Sequence, residues 1–403
     1  MAATFLLSMA AQAGEVSIHT DFDGGSLGQV ERVSETHFRC KVKGEVDQDG
    51  RNRQASWYYF RVDGAKGQSL TLDMIDLPGE YNYRPVAGAI TARTLPFYSE
   101  DQKTWKQVEA TEFLTDVPLL RLRLTPHAQR IWIAHTPPYT IRDLTRLLSE
   151  FNNHSALRQQ TIGRSVGGRD LVLLTITDER VSQSKKKVIW LMFRQHAWES
   201  GSSWTGEGAL RFLLSSDPIA KQIRRETIFK IFPMSDPDGV ARGGVRFNAH
   251  GYDLNRNWDA VDDEKMPEIA AQRKAVLEWV DAGNHVDIFL SLHNTETSEY
   301  VEGPPDAGER YRSLMTRFSQ LLSDSKRFAP TKSAQFTAVS TTVDKPGRMN
   351  VYQGLYRDRK LPAFLIEQMI VKHPELGRQP TTEDRRQFGV DLVRAMWRAV
   401  KIG

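Results

Sequence analysis

The chain has 403 residues, with 54 Lys and Arg against 50 Asp and Glu, for a net charge of +4. That length accommodates two domains, or three at most, with a large core. The charges are interspersed, which excludes a basic nucleic-acid arm: the run Lys185-Lys186-Lys187 is short, precedes an apolar strand and reads as a solvated loop. A single cysteine, Cys40, excludes an internal disulfide and any cysteine-cluster metal site, and in its β-rich stretch it reads as a small core residue.

In chain order, the apolar Thr4-Phe5-Leu6-Leu7-Ser8-Met9-Ala10 leads to Ala11-Gln12-Ala13-Gly14, which has the small-x-small form of a signal-peptidase site. A basic leader is missing, so residues 1–14 read as a truncated signal peptide, with a loosely docked N-terminus as the other reading. Export follows from the first reading and a cytoplasmic location from the second. No other stretch is apolar and long enough to span a membrane.

From Glu15 to Thr136 the pattern alternates as strands do, in His37-Phe38-Arg39-Cys40-Lys41-Val42, Trp57 to Val62 and Leu119-Leu120-Arg121-Leu122-Arg123-Leu124, with turns such as Asp47-Gln48-Asp49-Gly50 between. An antiparallel β-sandwich over residues 15–136 follows. It carries no catalytic constellation, and either shapes access to a neighbouring site or only stabilises it.

Pro137-Pro138 marks a boundary, after which residues 137–403 alternate helices with apolar strands. Helices are predicted over Ile141–Phe151, Trp204–Leu214, Ile269–Val280, Tyr311–Leu322 and Phe388–Val400. Strands are predicted over Leu171–Ile176, Val188–Phe193, Ile228–Phe232, Val286–Leu292 and Ala363–Ile366. Strands apolar on both faces imply an α/β fold: a mostly parallel mixed sheet covered by helices on both sides. Ligand sites in such sheets form at strand carboxyl ends, and His196, Glu199, His293 and Glu367 all stand there.

His196-Ala197-Trp198-Glu199 follows the Val188–Phe193 strand, and two residues three apart can turn toward one point. Imidazole nitrogen and carboxylate oxygen both suit zinc, and a catalytic zinc takes three protein ligands and leaves one position open. His293, after another β-branched run, is the candidate for the third. Taken alone, a histidine and a glutamate so spaced can equally cap a strand or helix end.

Two further stretches bear on this reading. Gly244 to Trp258 puts Arg246, Asp253, Asn255 and Arg256 in a segment with few apolar residues. An arginine fork binds a carboxylate through paired charge-assisted hydrogen bonds, and an adjacent asparagine adds a donor. Asp253 could accept the outer N–H of a ligating histidine, although a plain surface loop held by Asp–Arg pairing has the same composition. Glu367, ending the Ala363–Ile366 strand, could serve as general base toward water if it is buried near a metal. An acid at such a position is otherwise simply solvated.

Taken together, His196-x-x-Glu199, Asp253-Leu254-Asn255-Arg256, His293 and Glu367 resemble, in order and strand-end context, the zinc metallocarboxypeptidases, over most of the chain from about Pro138. The preceding sandwich and Arg246 make the cytosolic carboxypeptidase branch the most similar. The resemblance implies one Zn²⁺ held by His196, Glu199 and His293, with Asp253 supporting a zinc histidine. It further implies Glu367 as general base, Arg246 polarising the scissile carbonyl, and Asn255 and Arg256 binding the C-terminal carboxylate of a peptide or protein. Lys345-Pro346-Gly347-Arg348 is similar to a basic stretch that favours acidic C-terminal side chains, which Arg348 would face; a solvated basic loop is the other reading.

Two departures stand out. Asp236 occupies a turn position where the family usually has Asn, an exchange expected to be mild. No tyrosine lies between Ser340 and Arg348 to close over the substrate, and Tyr352 and Tyr356 are poor substitutes by position. Alternatives to a carboxypeptidase are a zinc deacylase or amidase acting on an N-acyl amino acid or a cell-wall peptide, and a zinc-free binding protein.

Overall fold

A computed structural model describes residues 15–81, 83–332, 334–336 and 346–401. The expected signal sequence therefore lies outside the described residues, as does Lys345 of the basic stretch.

Alternation builds the N-terminal sandwich from two five-stranded sheets. One runs in the order Ser17–His19, Tyr59–Asp63, Arg130–Ala134, Phe97–Ser99 and Lys106–Gln107. The other runs Thr111–Leu114, Leu119–Leu124, Leu70–Ile75, His37–Lys41 and Val30–Arg32. All pairings are antiparallel except that of His37–Lys41 with Leu70–Ile75. Leu120 and Leu122 point inward to Leu72, Met74, Phe60 and Val62, with Cys40 buried among them. Arg121, one residue out of phase, pairs with Asp73 instead.

The second sheet has eight strands, ordered Leu157–Arg164, Asp170–Ile176, Thr227–Phe232, Lys187–Phe193, Ile288–Thr295, Ala363–Met369, Tyr300–Gly303 and Gln335–Phe336. The four central strands are mutually parallel; Asp170–Ile176 and Tyr300–Gly303 join them antiparallel on either side, and the edge strand Gln335–Phe336 pairs parallel with Tyr300–Gly303. Their continuous apolar runs divide by alternation between two cores, as a doubly covered sheet requires. Ile189, Leu191 and Phe193 pack with residues of helices Ser200–Leu213 and Thr382–Lys401 on one face. Val188, Trp190 and Met192 meet Ile269 and Val276 of helix Pro267–Asp281 and Val351 and Leu355 of helix Val351–Arg359 on the other.

Several elements depart from expectation. The Ser200–Leu213 helix starts four residues before Trp204, through Ser-Gly-Ser-Ser, whose weak propensity is overridden by burial of nearly the whole helix. Strand Leu157–Arg164 and helices Pro218–Glu226 and Val351–Arg359 carry patterns too polar or too short to stand out. No helix among the described residues is long and apolar enough to cross a membrane. At the boundary Pro137 and Pro138 are buried, and Trp204 Nε1 donates to the Pro137 carbonyl at 3.0 Å. Across the same junction Trp57, Tyr59 and Ala134 form one cluster with Trp198, Val245 and Ile370.

Candidate metal centre and substrate cavity

The turn that presents His196 and Glu199 is set by the buried Arg194, whose backbone has a φ of 60°. Its guanidinium binds the Ala197 carbonyl through Nε and Nη2 at 2.9 and 2.6 Å, and Ser203 Oγ through Nη1 at 3.0 Å. Glu199 then sits at the first cap position of helix Ser200–Leu213. The two residues therefore converge through a tight turn rather than by sharing a helical face. His293 lies within strand Ile288–Thr295, with Glu367 as its register partner on the neighbouring parallel strand.

Glu199 bridges the two rings. Its Oε1 is 2.7 Å from His196 Nδ1 and its Oε2 is 2.9 Å from His293 Nδ1. Ligand atoms of all three buried residues lie within 4.8 Å of one another. The outer nitrogens show which way the rings are protonated. His196 Nε2 faces Asp253 Oδ1 at 3.1 Å, an acceptor only. His293 Nε2 faces Gln195 Oε1 at 3.0 Å, and Gln195 is oriented by its own Nε2 donating to the Leu254 carbonyl at 2.9 Å. Ser291 Oγ donates to the same Gln195 oxygen at 2.6 Å and lies 2.9 Å from His293 Nε2. With both outer nitrogens donating, a neutral ring turns each Nδ1 lone pair toward the carboxylate. Three buried electron-rich groups facing one another need a cation between them, and one carboxylate with two imidazoles is the donor chemistry of zinc. The residues present fit that metal.

Charges around the cluster follow the same geometry. Burial opposes ionisation of Asp253, but Arg246, donating from Nε to Oδ2 at 2.8 Å, and His196 hold its carboxyl well below the usual range. Without a metal, burial opposes the charge on Glu199 while His196 and His293, when protonated, lower its pKa; a cation between the three groups takes the place of those protons. Glu367 goes the other way: burial first, then the Glu199 charge, push it well above the ordinary value. Its Oε2 is buried with no hydrogen-bond partner among the described residues.

A cavity of about 890 Å³ opens over the cluster, lined by His196, Glu199, Arg246, Asn255, Arg256, Arg348 and Glu367. Asp253 and His293 stand behind that wall, in contact with the two residues that reach it. Asn255 Oδ1 accepts the N–H of Val351 at 3.1 Å, which orients its amide. Asp259 accepts the N–H groups of Gly347 and Met349 at 3.0 Å each, and so holds Arg348 between them. The sandwich contributes the opposite wall through Arg53 to Ser56, Val86 to Ala89, Arg93 and Phe113.

Gln195, Ser291, Tyr300 and Glu302 belong to this site but were not singled out from sequence. Ser291 stands two residues before His293 and thus on the same strand face, a signal that period-two reading could have used. Tyr352 is buried in the core, and Tyr356 OH donates to the Asp306 carbonyl, so neither covers the cavity; Tyr300, the register partner of Glu367, lines it. Asp236 caps the short helix Pro237–Ala241, accepting Gly239 N–H at 2.8 Å.

Residues 144–345 match the family model described as zinc carboxypeptidase, half of the chain. The chain belongs to the zinc carboxypeptidase family. It is thus a hydrolase of that family, and zinc is the family's metal. Residues 18–135 match the cytosolic carboxypeptidase N-terminal domain. An uncharacterized protein of Zymomonas mobilis is 28% identical over 396 residues, covering 94% of this chain and 95% of its own. Human cytosolic carboxypeptidase 4 is 26% identical over 313 residues, 70% of this chain but 28% of that protein, so the chain spans under a third of that relative. Among solved structures, a metallo-carboxypeptidase of Burkholderia cenocepacia shares the fold with a TM-score of 0.83, at 24% identity over 96% of this chain and 100% of that one. One of Pseudomonas aeruginosa, in complex with (2-guanidinoethylmercapto)succinic acid, does so with a TM-score of 0.80, at 23% identity over 96% and 99% of the two chains.

Proposed function

We propose that this enzyme releases the C-terminal residue of peptides or proteins, with a preference for acidic C-terminal side chains. The observation that carries the reading is one cavity that joins the His196, Glu199 and His293 cluster to a buried carboxylate, Glu367, and to the donors Arg246, Asn255 and Arg256. His196, Glu199 and His293 would hold the zinc, which when bound would supply Lewis acidity toward the scissile carbonyl and the attacking water. Glu367 takes a proton from the attacking water and delivers it to the departing amine, from a buried position on the cavity wall where its Oε2 has no hydrogen-bond partner among the described residues. Arg246, its guanidinium plane fixed by Asp253, stabilises the oxyanion as it develops. Arg256 and the NH₂ of Asn255, whose amide oxygen is taken by Val351, bind the terminal carboxylate. Recognition of that carboxylate restricts cleavage to the last peptide bond. Arg348, held by Asp259, meets the carboxylate of a C-terminal Glu or Asp side chain.

The test is a panel of peptides ending in acidic, basic, aromatic and aliphatic residues, with and without chelator, beside Glu367→Gln and Arg348→Ala. Release should be chelator-sensitive and fall at least about 100-fold in Glu367→Gln. Arg348→Ala should lower kcat/KM by about 10-fold or more for acidic ends alone. No release from any peptide, with one zinc bound per chain, would overturn the proposal and favour a deacylase acting on N-acyl amino acids.

A further inference from the structure

The loop that carries Arg246 is held by a carboxylate from the other end of the sequence. One oxygen of Glu45, Oε2, accepts three consecutive backbone N–H groups, those of Val245, Arg246 and Phe247, at 3.0, 2.6 and 2.8 Å. Its other oxygen receives Arg242 Nη1 at 2.5 Å. Glu45 itself is fixed in the sandwich by a two-way backbone pairing with Gln54, at 2.8 and 2.7 Å.

Three residues further on, Gln48 N–H donates to the carbonyl of Gly251 at 3.0 Å. Gly251 has a φ of 84°, and a Cβ there would lie 2.5 Å from the Gln48 nitrogen, so the two backbones are in direct contact. The Gln48 turn is in turn tied by Asp47, whose carboxylate accepts the N–H groups of Asp49 and Arg51. A rigid sandwich turn therefore grips the loop on both sides of Arg246.

From that anchored backbone the Arg246 side chain reaches Asp253, which holds His196 through its other oxygen. The Val245 carbonyl also accepts Trp198 N–H at 3.0 Å, inside the turn that bears His196 and Glu199. A carboxylate accepting charge-assisted bonds from three successive amides fixes three peptide planes at once. Without it, those part-buried amides would need new partners and the loop would have to rearrange.

We infer that Glu45 is a positioning residue for Arg246, and that the sandwich is thereby a working part of the active site. The inference rests on the role proposed above for Arg246. Glu45 is not on the cavity wall and acts only through the loop.

The experiment uses the full chain loaded with zinc, as Glu45→Ala, Glu45→Gln, Arg246→Ala and the Glu45→Ala/Arg246→Ala pair. Rates are measured on a cleaved peptide, together with zinc content and amide hydrogen exchange over residues 242–251. Glu45→Ala should retain one zinc and lower kcat by about 30- to 100-fold with KM within about 3-fold, the scale of a displaced transition-state donor. Glu45→Gln keeps an acceptor toward the amides and should recover to within about 5-fold of the parent. In the Arg246→Ala background, removing Glu45 should cost less than about 2-fold, because both changes abolish the same interaction. A purely structural Glu45 would instead give additive losses, and that result overturns the inference, as does a Glu45→Ala rate within about 3-fold of the parent. Should Glu45→Ala not fold, Glu45→Asp, too short to reach the amides, takes its place. Should the parent cleave no peptide, the proposed function fails and hydrogen exchange decides the inference alone. Amides 245–247 should exchange about 100-fold faster without Glu45, and unchanged exchange overturns it.

Discussion

Replacing Asp236 by Asn tests how the fold tolerates an acid in a fully buried turn. Asp236 Oδ1 caps Gly239 N–H, while Oδ2 is buried with no partner among the described residues. Burial, only partly offset by Arg242 and the Gly239 N–H, pushes its pKa up to about 8. The carboxyl of the unfolded chain releases its proton near pH 4. Between about pH 4 and pH 8 the folded state therefore binds more protons than the unfolded one, and stability must fall as pH rises through that window. The slope for one such group approaches 1.4 kcal/mol per pH unit, or on the order of 4 kcal/mol from pH 4 to pH 7. Asn matches Asp in size, keeps the cap acceptor and does not titrate. Asp236→Asn should match the parent within about 1 kcal/mol at pH 4 and become progressively more stable relative to it toward pH 8. Thermal and denaturant unfolding of the metal-free proteins at pH 4, 5.5, 7 and 8 keeps zinc release out of the comparison. Parallel stability profiles for the two proteins would refute the reasoning, because they would mean that Asp236 ionises as easily folded as unfolded. Held protonated near neutral pH, Asp236 would act as a neutral cap, as an Asn in its place would.

Three further outcomes are expected. Asp253→Asn leaves one neutral amide where His196 Nε2 and Arg246 Nε both need an acceptor; zinc affinity in chelator competition should weaken about 10- to 100-fold and kcat at saturating zinc should drop by about 100-fold or more. An unchanged affinity would remove Asp253 from the support of the histidine. Gln195→Ala takes the oriented acceptor from His293 Nε2 but leaves Ser291, so zinc should bind about 10-fold more weakly while kcat at saturating zinc changes little; the reverse split would place Gln195 in the reaction instead. Gly208→Ala puts a Cβ 2.0 Å from the Arg386 carbonyl, where helices Ser200–Leu213 and Thr382–Lys401 cross. It should destabilise by at least about 1–3 kcal/mol, and an unshifted melting temperature would contradict so close an approach.

What could be read in the sequence was whatever burial writes locally. Strands such as Lys187–Phe193 and Ile288–Thr295 lie between two helical layers and carry the apolar runs Val188 to Phe193 and Ile288 to Leu290, so their place in the sheet follows from composition. Leu157–Arg164 sits at the sheet edge with most of its side chains exposed, and its Arg-Gln-Gln-Thr run carries no such mark. The helix Val351–Arg359 is short and interrupted by Gly354, where a Cβ would lie 2.6 Å from Trp258 Cβ; tertiary packing rather than propensity holds it. The ligand candidates were legible because strand ends place chemistry where runs of apolar residues stop. Their orientation was not, since it depends on the positive φ of Arg194, a bulky residue that rarely adopts it, and on a guanidinium buried against the turn it closes.

The same distinction accounts for the sandwich. Read by itself, Glu45 is one more acid before an Asp-rich turn, separated from Arg246 by 201 positions, and nothing in either segment refers to the other. The Gly244 to Trp258 loop buries Val245, Phe247, Leu254 and Trp258, but the backbone N–H groups beside Arg246 are met by Glu45, and the role proposed for that guanidinium would require its backbone to be held to within a fraction of an ångström. The sandwich supplies such a support: its core is closed without help from the second sheet, and its Glu45 to Gly50 edge is paired back on itself through Asp47 and Gln54. If Glu45 positions Arg246 as inferred, the two units work as one site, and displacing the sandwich should lower kcat at least as far as Glu45→Ala does while measured zinc content stays at one per chain; an unchanged kcat would refute it.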